Sequence, residues 1–312
     1  MGALAYFLTL VSSCTLIGMI TNILIPLPIS AQPAAGELET EAEEARRALD
    51  IFLREQRVLF KRGELALELD TFYASDTKDQ FIGVNSGTQL TKITTRSVTA
   101  LFIPRYGLLD NLELDLEIPS GWAEQEIDLG VTRIHRSDQG VGDIAGALRY
   151  QLWPERGARP EVILELRGKS RTGGDTLLGT GHWNVEGAVS LVKTLDPVVF
   201  FGRLGYAATL ERQEVDPGDQ VSYLLGMGYS LNDRVSLSMR MGGAYVGRTQ
   251  VHGTAIPRSS LDIINLQFNV TTRATRNWFI EPFVNAGLTD DATDAIVGIN
   301  LLYLFSAARQ QR

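Results

Sequence analysis

The chain has almost no cysteine. Its single Cys14 lies within an apolar amino-terminal stretch, so neither a disulfide framework nor thiolate chemistry is available to the residues beyond it. Histidine is nearly as scarce. His135, His182 and His252 are the only three in 312 residues; they lack the close spacing of a metal-ligand set, and no cofactor is implied. Positive charge is in deficit, with 29 Lys and Arg against 37 Asp and Glu and a net charge of −8. That balance argues against nucleic acid as a partner, because there is no cationic excess to neutralise phosphates. Gly140-Val141-Gly142-Asp143 precedes a strand pattern rather than a helix, so it is no nucleotide loop. Beyond residue 31 no run approaches the roughly 18 consecutive apolar residues of a membrane helix. If the remainder crosses a bilayer, it does so as strands.

What is present begins with an amino-terminal stretch of 36 residues free of Asp, Glu, Lys and Arg. Residues 1–31 read as a secretory signal peptide cleaved after Ala31, although the usual positive n-region is missing; an uncleaved membrane anchor is the alternative. Residues 37–60, ELETEAEEARRALDIFLREQRVLF, form the one segment with helical spacing: Ala42, Ala45, Leu49, Phe52 and Leu59 recur at steps of three, four and seven. Glutamates load its beginning and Arg54 and Arg57 its end, which suits the helix dipole. Residues 32–62 are therefore expected to hold a periplasmic or plug helix whose Leu49, Phe52, Leu53, Val58 and Leu59 need an apolar partner.

From Gly63 the period changes to two. Leu65, Leu67 and Leu69 oppose Glu64, Glu68 and Asp70, and Leu112, Leu114, Leu116 and Ile118 oppose Glu113, Asp115 and Glu117. The same division recurs to the end, in VGINLLYLF, residues 297–305. The pattern predicts twelve strands: 63–75, 89–103, 110–122, 141–153, 160–170, 182–194, 198–212, 219–231, 234–248, 259–272, 277–288 and 294–305. Short turns alternate with long polar loops, and several strands exceed the roughly 9 to 11 residues of a tilted transmembrane strand. In the second strand Lys92 and Arg96 share a parity with Val98 and Phe102, which leaves its facing ambiguous. A repeat near 40 residues also suits a β-propeller, but the segments are two long strands per repeat, and all four tryptophans fall at predicted strand ends, where a bilayer places aromatic girdles. The expected fold is an all-β membrane protein: a twelve-stranded antiparallel transmembrane β-barrel over 63–305, with an amino-terminal helix and a periplasmic tail, 306–312. Its location would be the outer membrane of a Gram-negative bacterium, with outer-membrane lipid around it.

Twelve strands enclose more space than the filled eight-stranded barrels and less than the open sixteen-stranded porins, so a narrow, passable lumen is expected. The residues expected to line it are Glu68, Asp70, Glu113, Asp115, Glu117, Glu165, Glu186 and Glu281, with Arg149, Arg167, Arg203 and Arg240. They suggest either opposed acidic and basic walls that orient a polar solute or charges that pair with one another. Apart from these, the interior is expected to hold little beyond glycines, alanines and Ile163.

The carboxy-terminal strand carries Gly298, Leu301, Tyr303 and Phe305, which resemble the signal read by the barrel-assembly machinery; Ser306 onward departs from it, since the aromatic residue is usually last. GVGDIAGALRYQL, residues 140–152, and GTGHWNVEGAVSLVKTLDPVVFFGRLGYAATLER, residues 179–212, resemble the outer-membrane transporter family of the MetA pathway of phenol degradation. FLREQRVLFKRGELALEL looks like the start of that family, and the match runs over most of the chain after residue 48. The family is similar to the secretion channel of functional amyloids, a twelve-stranded barrel with an amino-terminal helical plug. The resemblance implies a non-enzymatic channel for small solutes, apolar or aromatic ones among them, gated by the helix, and a homo-oligomer such as a trimer. Secretion of an extracellular, amyloid-like protein is the runner-up. A different class is raised by His135-Arg136-Ser137, whose His-x-Ser spacing resembles the outer-membrane phospholipase; the pattern is short and falls in a predicted loop.

Overall fold

The computed structural model describes residues 59–305 apart from 85–86, 131, 175 and 233, and the backbone alone for the rest of 80–90. The expected signal peptide, Leu49, Phe52, Leu53 and Val58 of the expected helix, and the tail from Ser306 lie outside the described residues. The strands are β1 (Leu65–Val84), β2 (Gly87–Leu109), β3 (Leu112–Asp128), β4 (Arg133–Val141), β5 (Ala145–Trp153), β6 (Glu161–Lys169), β7 (Asn184–Leu195) and β8 (Val198–Thr209). They continue with β9 (Val215–Asp216), β10 (Gln220–Asn232), β11 (Val235–Val246), β12 (Gln250–Val251), β13 (Thr254–Ala255), β14 (Leu261–Arg273), β15 (Trp278–Gly287) and β16 (Ala295–Phe305). All but β4, β9, β12 and β13 form a closed antiparallel ring of twelve. The first and last strands pair from Leu65↔Phe305 to Ser75↔Ala295, and β2 pairs with β3, so the ring has no open edge.

Burial along these strands is inverted relative to a soluble protein. Leu204, Leu225 and Val284 are 60%, 61% and 53% exposed, whereas Glu68, Asp70, Glu113 and Gln267 are 1% or less. Large exposed apolar side chains on every barrel strand, with charged ones within, are stable only where the outside is not water. Aromatic residues gather at the two rims of this apolar band. Tyr106, Tyr150, Trp153, Tyr229, Trp278, Tyr303 and Phe305 lie on the side of the short turns, and Tyr73, Trp122, Trp183, Tyr206 and Tyr245 on the side of the long loops; all but the half-buried Tyr303 are exposed. Tyr303 packs against Trp278 at 4.9 Å and edge-on to Phe305 at 4.6 Å. Amphipathic rings at both levels are what the two membrane interfaces favour.

The structure corrects the expected organisation at the outer side. The stretches 76–88 and 123–140, expected as loops, are largely strand. β1 and β2 stay paired to Val84↔Gly87, and β4 returns along the upper half of β3, from Ser120↔Val141 to Asp128↔Arg133. These hairpins rise past the ring, since β16 reaches only Ser75 of β1. Water on both faces removes the one-sided apolar pattern that marks a strand, so they read as loop. The ambiguity in β2 is resolved as well: Thr95, Ser97, Thr99 and Arg105 are buried, whereas Lys92 and Arg96 are exposed, and Arg96 pairs with Glu124 at 3.1 Å. The small hydroxyl side chains mark the inner face.

The amino-terminal end of the described chain turns into the ring. Leu59 and Phe60, expected in the last turn of the helix, instead form a bend and a residue without regular structure. The Gly63 N–H donates to the Gly107 carbonyl at 2.8 Å, and the Gly107 N–H to that of Glu64 at 3.0 Å. A Cβ on Gly107 would lie 1.9 Å from the Lys61 carbonyl oxygen, so only glycine lets the segment cross the inner face of β2 there. Gly107→Val should therefore expel residues 59–64 and cost about 1–3 kcal/mol. Urea titration of the detergent-solubilised barrel, with tryptic cleavage at Lys61 and Arg62 as a second readout, would check this.

Candidate functional site in the barrel lumen

Inside the ring, cross-strand register converts separate acidic and basic residues into a belt. Register partners on the inner face include Arg105↔Asp115, Glu113↔Arg149, Arg149↔Glu165 and Arg167↔Glu186. Arg149 lies 3.6 Å from Glu113, 3.2 Å from Asp115 and 3.0 Å from Glu165. Arg203 then joins Glu165 at 2.6 Å to Glu186 at 2.8 Å and donates to Ser222 Oγ at 3.1 Å. Arg105 holds Glu113 at 2.8 Å and approaches Glu68 at 3.9 Å. Higher in the lumen Arg167 forms a two-armed pair with Glu117, at 3.1 and 2.5 Å. Planar guanidinium groups suit this, because one Arg can bridge two or three carboxylates in fixed directions.

A second sector of the wall is mainly acidic and amide-bearing. Asp70 stands opposite Asn300, and Asn300 opposite Glu281. Glu281 accepts from Asn269 Nδ2 and Thr271 Oγ1, each at 2.5 Å, and from Asn300 Nδ2 at 3.3 Å. Arg240 on β11 and Glu68 complete this group electrostatically.

All twelve residues expected in the lumen thus face inward and are buried, none more than 8% exposed. The arrangement differs from two opposed walls. Acids and bases interleave around β2, β3, β5, β6, β7 and β8, because antiparallel register sets Glu113, Arg149 and Glu165 side by side.

Three lumen features escaped the sequence reading. Arg105 was hidden by the ambiguous facing of β2. Asp143 receives the backbone N–H groups of Gly173 at 3.0 Å and Thr180 at 2.7 Å and faces Lys169 at 3.4 Å, fastening the loop after β6. The interior is also less polar than expected, since Ile163 is joined by Val192, Val199, Phe201 and Leu224 in a buried apolar cluster that receives Leu59. These residues share the inward parity of Ser190, Arg203 and Ser222, so parity alone could have revealed them. Beside them, the Phe60 N–H donates to Glu113 Oε2 at 2.5 Å, and the Arg105 guanidinium lies 4.8 Å from the Phe60 ring centre.

Of the expected assembly residues, Tyr303 and Phe305 stand in the aromatic rim, and Leu301 is half-buried on the same face. Gly298 faces the interior, where the space a Cβ would occupy is filled by Phe72 and Phe283, 2.7 Å away. His135 and Ser137 lie on β4, not in a loop, opposite Glu126 and Glu124. No hydrogen bond joins them.

Residues 72–305 match the family described as "Putative MetA-pathway of phenol degradation". The chain belongs to this family. Among solved structures it is similar to the COG4313 outer membrane channel from Pseudomonas putida F1, at 15% identity and a TM-score of 0.62, over 79% of this chain and 97% of that one. It also matches the NanC porin, at 8% identity and a TM-score of 0.44, over 76% of this chain and 98% of that one. The transport unit of the autotransporter AIDA-I from Escherichia coli matches at 9% identity and a TM-score of 0.46, over 84% and 98%. This member of the phenol-degradation family therefore has the fold of an outer-membrane channel, and its surface agrees: an apolar exterior bounded by two aromatic rims places it in the outer membrane.

Arg149 bridges three carboxylates, and its removal would leave buried charge without compensation. Arg149→Met is expected to cost about 3–5 kcal/mol. Arg149→Lys, which keeps the charge but not the fork, should fall between the two in urea titrations of the detergent-solubilised protein.

Proposed function

We propose that this protein is a non-enzymatic outer-membrane channel for small solutes, apolar and aromatic ones among them, gated by its amino-terminal segment. The observation that carries the reading is the seating of Leu59 and Phe60 inside the ring, with Leu59 against Ile163, Val192, Val199, Phe201 and Leu224. Burying one Leu side chain contributes roughly 1.5–3 kcal/mol, an interaction weak enough to be reversed by a solute or by a partner of the segment.

The interior supports solutes of mixed character. Above the belt, Phe72, Ala74, Phe283 and Ile296 form a second inward apolar cluster, and Ile263 with Ala292, Val246 and Leu261 a third near the outer mouth. A solute with an apolar body would meet these clusters in sequence, while the belt sets a charged constriction between them and the periplasmic end. The family description names phenol degradation, which agrees with aromatic cargo. Side chains cross-linked around the belt favour small solutes over an extended polypeptide. Insertion by the barrel-assembly machinery through Gly298, Leu301, Tyr303 and Phe305, and assembly as a homotrimer, accompany this reading.

Removing residues 37–60 should raise single-channel conductance in planar bilayers severalfold, and Leu59→Asp should raise it in part. Equal conductance in the truncated and full-length proteins would overturn gating by this segment.

A further inference from the structure

A cavity of about 70 Å³ opens on the inner face toward the outer mouth, above the belt. Its basic lining is Arg167, Lys169 and His182, and among the described residues no aspartate or glutamate lines it. The acids that pair with these cations, Glu117 on Arg167 and Asp143 on Lys169, stand outside the lining. Lys169 Nζ also donates to Thr180 Oγ1 at 2.6 Å, a hydroxyl that itself lines the cavity. Gln220, 8% exposed, also lines the cavity, and its Nε2 is a buried donor with no acceptor. A buried N–H group without a partner costs of the order of 1–3 kcal/mol, and rotation of the Gln220 side chain toward the cavity would let a ligand's acceptor remove that cost. Ala207, Pro217, Val246 and Leu261 supply apolar wall on the same cavity.

From this we infer that the cavity is a recognition site for small organic monoanions, in which an oxyanion head such as a carboxylate meets Lys169, Arg167 and Gln220 and an apolar body rests on Val246, Leu261 and Ala207. The inference rests on the channel reading and sharpens it, because it names the class of solute selected at the outer mouth. An ammonium-bearing solute would find no carboxylate among the described lining residues to pair with. Convergent donors on one side and aliphatic wall on the other are the usual make-up of a small-molecule site. Arg167 belongs to both cavity and belt, so an arriving carboxylate would compete with Glu117 for the guanidinium and loosen the uppermost pair of the constriction.

The test is calorimetric titration of the full-length protein in detergent with benzoate, benzyl alcohol and benzylamine, which share a ring and differ in charge. Benzoate should bind at least about tenfold more tightly than the other two. Lys169→Gln should weaken benzoate about tenfold with little effect on benzyl alcohol, and Lys169→Arg should restore most of the affinity. Because Lys169 also faces Asp143, Gln220→Leu serves as the second variant: it touches no ion pair and should weaken benzoate several-fold. Equal affinity for benzoate and benzyl alcohol, or benzoate binding indifferent to both variants in correctly folded barrels, would overturn the site. Potassium chloride conductance in planar bilayers separates the two readings. Conductance without benzoate binding sinks the site alone, whereas benzoate binding without conductance in the truncated protein sinks the channel and leaves the site.

Discussion

A chain in hydrocarbon must satisfy every backbone N–H and C=O group from within itself, and the pairing of Leu65–Ser75 with Ala295–Phe305 is how this protein does so. Without that seam the twelve strands would form an open sheet with two unsatisfied edges in lipid. With it, the side chains divide into two populations. The outward set is free to be uniformly apolar, and the inward set is free to be charged, because lipid never reaches it. Belt, clusters and cavity all follow from this division.

Closure also sets how crowded the interior is. Along the inner wall, Arg149 and Arg203 reach carboxylates on two neighbouring strands each. Such groups would otherwise face a low-polarity interior with a large desolvation cost, and interleaving supplies Arg105, Arg149, Arg167 and Arg203 with at least two oxygen partners each. Where the charges thin out toward the periplasmic end of β6, β7, β8 and β10, apolar residues take over the inner face and Leu59 occupies the space. The channel axis is therefore graded: apolar and occupied by its own chain at one end, ionic in the middle, and lined by aliphatic residues and paired charges at the other.

The two-residue period made the barrel legible in the sequence, since lipid and lumen impose it on each strand that crosses. Lumen residues such as Glu113, Arg149 and Glu165 were legible for the same reason: a charge opposite Leu or Val can only face in. What period alone does not carry is register. Whether Arg149 meets Glu113 or stands alone depends on the stagger of β3 against β5, which depends on turns and bulges rather than on hydropathy. The outer hairpins were missed because water on both faces erases the period, and Arg105 because Lys92 and Arg96 lie beyond the lipid, where outward charge is tolerated. The inner cluster of Val192, Val199, Phe201 and Leu224 was legible only through the parity it shares with Ser190, Arg203 and Ser222, because its strands are apolar on both faces.

The belt has a consequence for biogenesis. A strand that slid by a single position against its neighbour would swing Arg149 or Glu165 out among acyl chains and strand their former partners inside. Misthreaded barrels are thus penalised at several seams at once, from β2 through β8. The ionic girdle doubles as a proofreading device, one that tells a correctly zipped wall from an off-by-one impostor before any solute passes through it.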